Sequence, residues 1–550
     1  MRMLSPSLSR ALPWAALLLS FAVRVSAAGG VVSAATPEAA QAGREILGQG
    51  GNAIDAAVAV SFSLAVTEPA MSGLGGGMQM LVHAPGRAPF VINGTSRSPH
   101  GVPAGATKAD LVAHRATTIP STVRTLAYAW RQHGSGQITW AQLLAPAIRA
   151  AEEGFVLGPF RQRVLARMAP QLEKHATGRA FTLNPDGTVP PEGALWKQPV
   201  LAATLRRLAA HGAEDFYRGE IAAEIARDMA AHGGWITAAD LANLPEPREQ
   251  PALQGRYRDW DVYTLQPPAS GWVVMQILQV LGLSEARALA PGTATRPDLV
   301  IEALDVGHTS SRKNPVRDMA NPAAENAERT SRATAERLRA AARERHPGET
   351  THYSLVDGAG MAVAVTASIN NYYGALVASP KLGFFYNDYM TDLVVGDPTH
   401  PFALRGDAMP YSSMGATILA RDGRPHLALG SPGSARIISA VSQVTQLWAD
   451  GQRDIAAAVA EPRWHVIPPD RLYVEDAVSI VKSKQAFEAR GWRVQGWPAD
   501  MDRLTLRARN AYFGGVHAVA FEHGRWTGAA DPRRDGAMLV LPHGATNTLQ

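Results

Sequence analysis

The sequence predicts an α+β fold in which stacked sheets are covered by helices, and three observations predict it. Residues 119–241 carry apolar side chains at helical spacing, the pattern switches after residue 350 to period-two strands, and the hydrophobic content of 46% supports a substantial core. With 550 residues the chain suffices for one large or two ordinary domains. Its formal charge of +5 comes from 53 Lys and Arg scattered among 48 Asp and Glu, which argues against a nucleic-acid surface. The absence of cysteine excludes disulfides, Cys-ligated zinc and thiol catalysis.

The first element is a leader. Arg2 and Arg10 precede the apolar residues 11–23, and Val25-Ser26-Ala27 presents small residues where a signal peptidase reads, so residues 1–27 are expected to be removed on export, to a periplasmic or secreted location. The run is short, holds Pro13 and stops at Arg24, which disfavours a membrane anchor, and no later stretch is long and apolar enough to span a bilayer. Residues 36–64 read as two helices broken at Gly50-Gly51, with Asn52 as N-cap. The glycine loop 72–77 opens a hairpin with strands at 78–83 and 90–93; without a Gly-Lys-Ser/Thr ending it is not a phosphate loop. Helices are predicted over 140–153, 199–211, 220–232 and 271–281. Residues 312–348 are the clearest composition break and read as an exposed connector, the charged stretch from 325 onward as a solvated helix. Strands follow at 353–356, 361–366, 417–420 and 427–429, then a helix over 434–449 and further strands.

The most informative segment is Thr350-Thr351-His352-Tyr353-Ser354. If the bond before Thr350 is cut, that residue gains a free α-amino group beside its hydroxyl, and an amine with a pKa of about 8 can take the hydroxyl proton near neutral pH. The segment alone leaves two readings open: an N-terminal nucleophile, or a polar start to a buried strand.

Several separated segments fit one family together: residues 50–59 (Gly-Gly-Asn-Ala-Ile-Asp-Ala-Ala-Val-Ala), 73–77 (Gly-Leu-Gly-Gly-Gly), 267–271 (Pro-Pro-Ala-Ser-Gly), 350–354, Ser412-Ser413-Met414 and 430–433 (Gly-Ser-Pro-Gly). In this order and at these separations the chain resembles the γ-glutamyltransferases (γ-glutamyltranspeptidases, glutathione hydrolases) of the N-terminal nucleophile hydrolases. The resemblance implies a four-layer αββα sandwich made by a precursor that cuts itself between Glu349 and Thr350, giving a large subunit (28–349) and a small catalytic subunit (350–550). It implies Thr350 as nucleophile, Ser368 as a second hydroxyl bonded to it, where the family normally has Thr, and the backbone N–H groups of Gly433 and Ser434 as the oxyanion hole, the family usually having Gly at the second place. Substrates would be γ-glutamyl compounds such as glutathione, with amino acids, peptides or water as acceptors. No metal or organic cofactor is implied.

The substrate pocket departs from the family. Asn370 and Asp392 match two of three groups that hold the donor α-amino group, but Tyr389 stands in the middle place, where the family has Gln or Glu. Ser412 and Ser413 match residues that bind the α-carboxylate. The family's carboxylate-binding Arg aligns with Thr95, which cannot form a salt bridge. Arg97, two residues on and on the same face of a strand, either reaches the carboxylate instead or is a surface arginine. Between Asp392 and Ser412 the chain is shorter than in members with a lid loop, implying a more open cleft. Two alternatives accompany the transferase reading: an acylase on the same scaffold acting on glutaryl or other side-chain amides, and a non-catalytic binding protein. Glu68, His352 and His465, lacking ligand spacing, read as structural.

Overall fold

The computed structural model describes residues 29–313, 315–317, 323–338, 350–476 and 484–542. Two antiparallel sheets stack face to face. The first has seven strands in the order Ala537–Leu541, Gly30–Ala34, Thr351–Asp357, Ala362–Ser368, Gly77–His83, Phe90–Gly94 and Arg248–Pro251. The second has six, in the order Arg525–Ala530, His517–Glu522, Arg424–Gly430, Thr417–Arg421, Trp260–Thr264 and Leu253–Tyr257.

Strand alternation builds the layers. In Arg424–Gly430, Ala428 faces the other sheet and joins Val31, Leu81, Val356, Ile418 and Val519 in the inter-sheet core, whereas Leu427 and Leu429 face outward. Those outward leucines pack with helices Gly271–Leu281, Arg296–Lys313 and Ala435–Ala449. On the other side, Tyr353, Leu355, Val363 and Val365 pack against helices Pro37–Gly48, Ala53–Thr67, Trp140–Glu153 and Pro199–His211. The order is therefore helix, sheet, sheet, helix, as expected.

Local chemistry explains the element ends. Thr36 caps the first helix through Ala39 N–H, and Asn52 and Asp55 form a reciprocal capping box on the second, which runs to Thr67. The glycine loop serves close approach rather than phosphate: a Cβ on Gly75 would lie 2.2 Å from the Phe385 carbonyl and one on Gly76 2.3 Å from that of Ser368.

The connector reading is corrected in its described part. Helices Ala323–Arg329 and Arg332–Leu338 dock on the body: Asn326 donates to Gln266 Oε1 at 3.1 Å, Gln276 donates to the Arg329 carbonyl at 2.9 Å, and Ala335 is buried in the outer core. The buried face is Asn326, Thr330, Thr334 and Ala335, while Ala324, Ala327 and Ala333 are exposed. The leader 1–27 and Glu349 lie outside the described residues. Among the described residues no helix is long and apolar enough to cross a membrane.

Candidate active site

Sheet register sets the centre of the site. Thr351 pairs with Ala367 across neighbouring strands, so continuing that ladder by one step sets Ser368 opposite Thr350. Ser368 in turn accepts the backbone N–H of Asn370 at 2.8 Å and is hydrogen-bonded to the Tyr389 hydroxyl. Beside Thr350, Thr351 donates its hydroxyl to the buried carboxyl of Glu68, whose pKa burial raises to about 7. His352 sits between Thr366 and Ser354 hydroxyls at 3.0 and 2.9 Å, a structural role.

A cleft of about 550 Å³ opens over this point, and Thr350, Asn370, Tyr389, Asp392, Ser412, Ser413 and Ser434 all line it. Segments far apart in the sequence thus converge on one cleft. Gly433 adjoins it as the residue before Ser434, at the turn between the strand ending at Gly430 and helix Ala435–Ala449. In that turn the Arg436 and Ile437 N–H groups donate to the Gly433 and Ser434 carbonyls at 3.0 and 2.8 Å. Gly433 has φ +118° and Ser434 φ +57°, so Ser434 adopts a conformation that favours glycine; its buried hydroxyl has no hydrogen-bond partner.

The wall at 387–392 is fixed by Asn387. Its fully buried side chain donates to the carbonyls of Gly75 and Thr118 at 2.7 and 2.9 Å and accepts the Tyr389 N–H at 3.1 Å. Asp388 accepts both the backbone and side-chain N–H of Asn371 at 3.0 and 2.7 Å. Asp392, hydrogen-bonded by Asn370, is pushed up to about 8 by burial first and by the Asp388 charge second, with Lys108 opposing. Tyr389 is neutral, its phenol pushed above its ordinary range by burial.

Two expected residues fall elsewhere. Thr95 does not line the cleft: it donates its hydroxyl to Asn93 Oδ1 at 2.7 Å and accepts from Gln79 at 2.9 Å. Arg97 does not line it either, because its guanidinium donates to the Asp407 carbonyl at 3.1 Å; of its two readings this place fits the surface arginine. The segment after Asp392, where a more open cleft was expected, supplies wall, since Leu393, Val394, Val395, His400, Phe402 and Tyr411 line the cleft.

Sequence reasoning missed Lys108, the one Lys or Arg among the described lining residues, and His308; His465, read there as structural, lines the cleft beside it. Ser439 joins these two imidazoles, 2.8 Å from His308 Nε2 and 2.8 Å from His465 Nδ1, and burial holds His465 well below the usual imidazole range. Lys108 lies in a short turn, Lys108–Asp110, with no periodicity to flag it.

An αββα sandwich with a hydroxyl residue heading a central strand, opposite a second hydroxyl and under a cleft, defines the N-terminal nucleophile hydrolase class. Within it, the chain belongs to the γ-glutamyltranspeptidase family, whose model matches residues 39–541. It is 32% identical over 554 residues to a glutathione hydrolase proenzyme of Pseudomonas sp. (strain A14), covering 94% of this chain and 95% of that protein. It is 31% identical over 549 residues to an acylase proenzyme, ACY 1, of Pseudomonas sp. (strain V22), covering 94% of each. Its structure resembles that of cephalosporin acylase from Bacillus halodurans, with a TM-score of 0.81 and 26% identity over 96% of this chain and 99% of the other.

Proposed function

We propose that the chain is a self-processing γ-glutamyltransferase and glutathione hydrolase. Scission of Glu349–Thr350 would give subunits 28–349 and 350–550 and free the Thr350 amine. Thr350 Oγ then attacks the γ-amide carbonyl while its own amine takes the hydroxyl proton. The tetrahedral oxyanion is met by the N–H groups of Gly433 and Ser434, the proton passes to the leaving amine, and water or an acceptor amino acid or peptide resolves the ester. Ser368 holds the nucleophile's side of the cleft through Asn370 and Tyr389. The observation that carries this reading is the convergence of Thr350, Asn370, Asp392, Ser412, Ser413 and Ser434 on one cleft.

Charge placement suits a donor with a zwitterionic head. Asp392, ionised on binding an ammonium, takes the α-amino group with Asn370; Ser412, Ser413 and the Lys108 ammonium take the α-carboxylate in place of an arginine fork. Export to the periplasm or beyond rests on the leader at residues 1–27.

A second reading, an acylase for glutaryl-type amides, is favoured by one observation: burial and the Asp388 charge push the Asp392 carboxyl up to about 8, so the group placed to meet an ammonium is mostly uncharged near neutral pH. Release from a γ-glutamyl anilide compared with the matching glutaryl anilide, which lacks only the α-amino group, separates the two. A higher kcat/KM for γ-glutamyl is expected; a clear preference for glutaryl would replace the first reading by the second.

A further inference from the structure

Away from the cleft, three side chains bring metal-ligating atoms together. His114 lies in the turn Ala113–Ala116, Asp228 in helix Glu220–Ala231, and His232 directly after it. One donor atom from each lies within 4.8 Å of the others. His114 Nε2 is 3.5 Å from Asp228 Oδ2, and His232 Nδ1 is 3.1 Å from Asp228 Oδ1. A zinc ion with donors at about 2.0–2.2 Å keeps those donors roughly 3.3–3.6 Å apart; the two His–Asp contacts use different oxygens of Asp228, so the carboxylate meets the ion with both oxygens or turns to present one.

Two further observations point to a ligand. His114 is 7% exposed, and its Nε2 is buried without a hydrogen-bond partner while facing the carboxylate. Such an atom is costly unless something satisfies it. Second, the Asp228 carboxylate is already oriented from behind: Tyr386 donates its hydroxyl to Oδ2 at 2.8 Å, the kind of outer contact that fixes a metal ligand. The two imidazoles stack, with centroids 4.5 Å apart and planes 8° apart, so one must tilt for both to meet an ion. His232 is the one that can: its side chain is 53% exposed at a helix end, and the turn exchanges the contact of its Nδ1 with the Asp228 backbone carbonyl, 2.9 Å away, for the ion.

We propose that His114, Asp228 and His232 bind one zinc-class divalent ion, with water in the solvent-facing position. The ion would take no part in acyl transfer. It would brace helix Glu220–Ala231 against Tyr386, the residue that leads into the cleft wall at 387–392. A further imidazole, His175, lies within electrostatic reach of His114.

The test uses the purified, processed protein, stripped with a chelator and titrated with zinc chloride alone. Bound zinc is counted by elemental analysis after desalting, and Tm is followed in parallel. One equivalent per chain is expected, with a Kd of about 1 μM or lower and a Tm that rises with zinc concentration. His232→Ala removes an exposed side chain, so it is expected to match the stripped wild type in Tm and anilide turnover while losing the equivalent and the zinc-dependent rise. His114→Gln should lose both as well. Failure of the wild type to retain zinc, or retention of the same equivalent by His232→Ala, would overturn the site.

Discussion

Replacing Asp392 by Asn separates recognition of a donor ammonium from every other contact in the cleft. In the free protein burial and the Asp388 charge raise this carboxyl from 3.8 to about 8. At pH 6 only about 1% is then ionised, and at pH 8 about half, a change of roughly fifty-fold. Because kcat/KM reports groups of the free enzyme, its value for a γ-glutamyl anilide is expected to rise by about that factor between pH 6 and 8 from this group alone. The Thr350 amine titrates in the same range, but it acts on every donor. The ratio of γ-glutamyl to glutaryl kcat/KM cancels it and isolates Asp392. Asp392→Asn is expected to flatten that ratio and to raise KM for the γ-glutamyl donor about ten- to a hundred-fold, the loss of one charged hydrogen bond of about 1.5–3 kcal/mol. Stability supplies an independent readout. A carboxyl whose folded pKa is raised contributes stability that is full below the unfolded value and lost as pH climbs from about 4 through about 8. The upper bound is about 6 kcal/mol, brought down to a few by water in the cleft. The Asn variant should therefore melt higher than wild type at pH 9 and similarly at pH 4. A flat ratio in wild type, or an equal rise in Asp392→Asn, refutes the reasoning.

Three further outcomes follow from the structure. Lys108→Gln should raise KM for carboxylate-bearing donors about two- to five-fold, an effect that fades in high salt, as steady-state kinetics at two ionic strengths would show. Ser434→Gly should release the left-handed strain at φ +57° and raise stability by about 1 kcal/mol in chemical denaturation while keeping turnover, since the donor there is backbone. Asp531→Ala should lose about 3–5 kcal/mol, seen as a fall in Tm, because it takes from the buried Arg463 its carboxylate partner at 2.7 Å and leaves the buried Arg533 with Glu475 alone.

Local chemistry made much of this protein legible. Helices Trp140–Glu153, Pro199–His211 and Gly271–Leu281 follow from apolar spacing, and the hairpin entered through the glycine loop from its turn. Strands Gly30–Ala34 and Arg248–Pro251 were not legible: each is short and borrows its stability from neighbours distant in sequence, Ala537–Leu541 with Thr351–Asp357 and Phe90–Gly94 respectively. The site divides the same way. Thr350, Asn370 and Asp392 announce themselves through motifs, and the cleft brings them together. Asn387, Lys108 and the His114–Asp228–His232 group carry no motif, because what defines each is a contact across more than a hundred residues or a position on a cleft rim. Arg97 shows the converse limit: the strand Phe90–Gly94 ends before Thr95, so same-face periodicity does not reach Arg97, and the Asp407 carbonyl takes its guanidinium.

The central claim is that Thr350 becomes an N-terminal nucleophile. Wild type and Thr350→Ala should be purified in parallel, run on a denaturing gel, and any small fragment sequenced from its N-terminus. The account predicts a fragment beginning at Thr350 in wild type and none in the variant. A wild type that cleaves anilide donors as one intact chain, or a variant cut at the same bond, would contradict it.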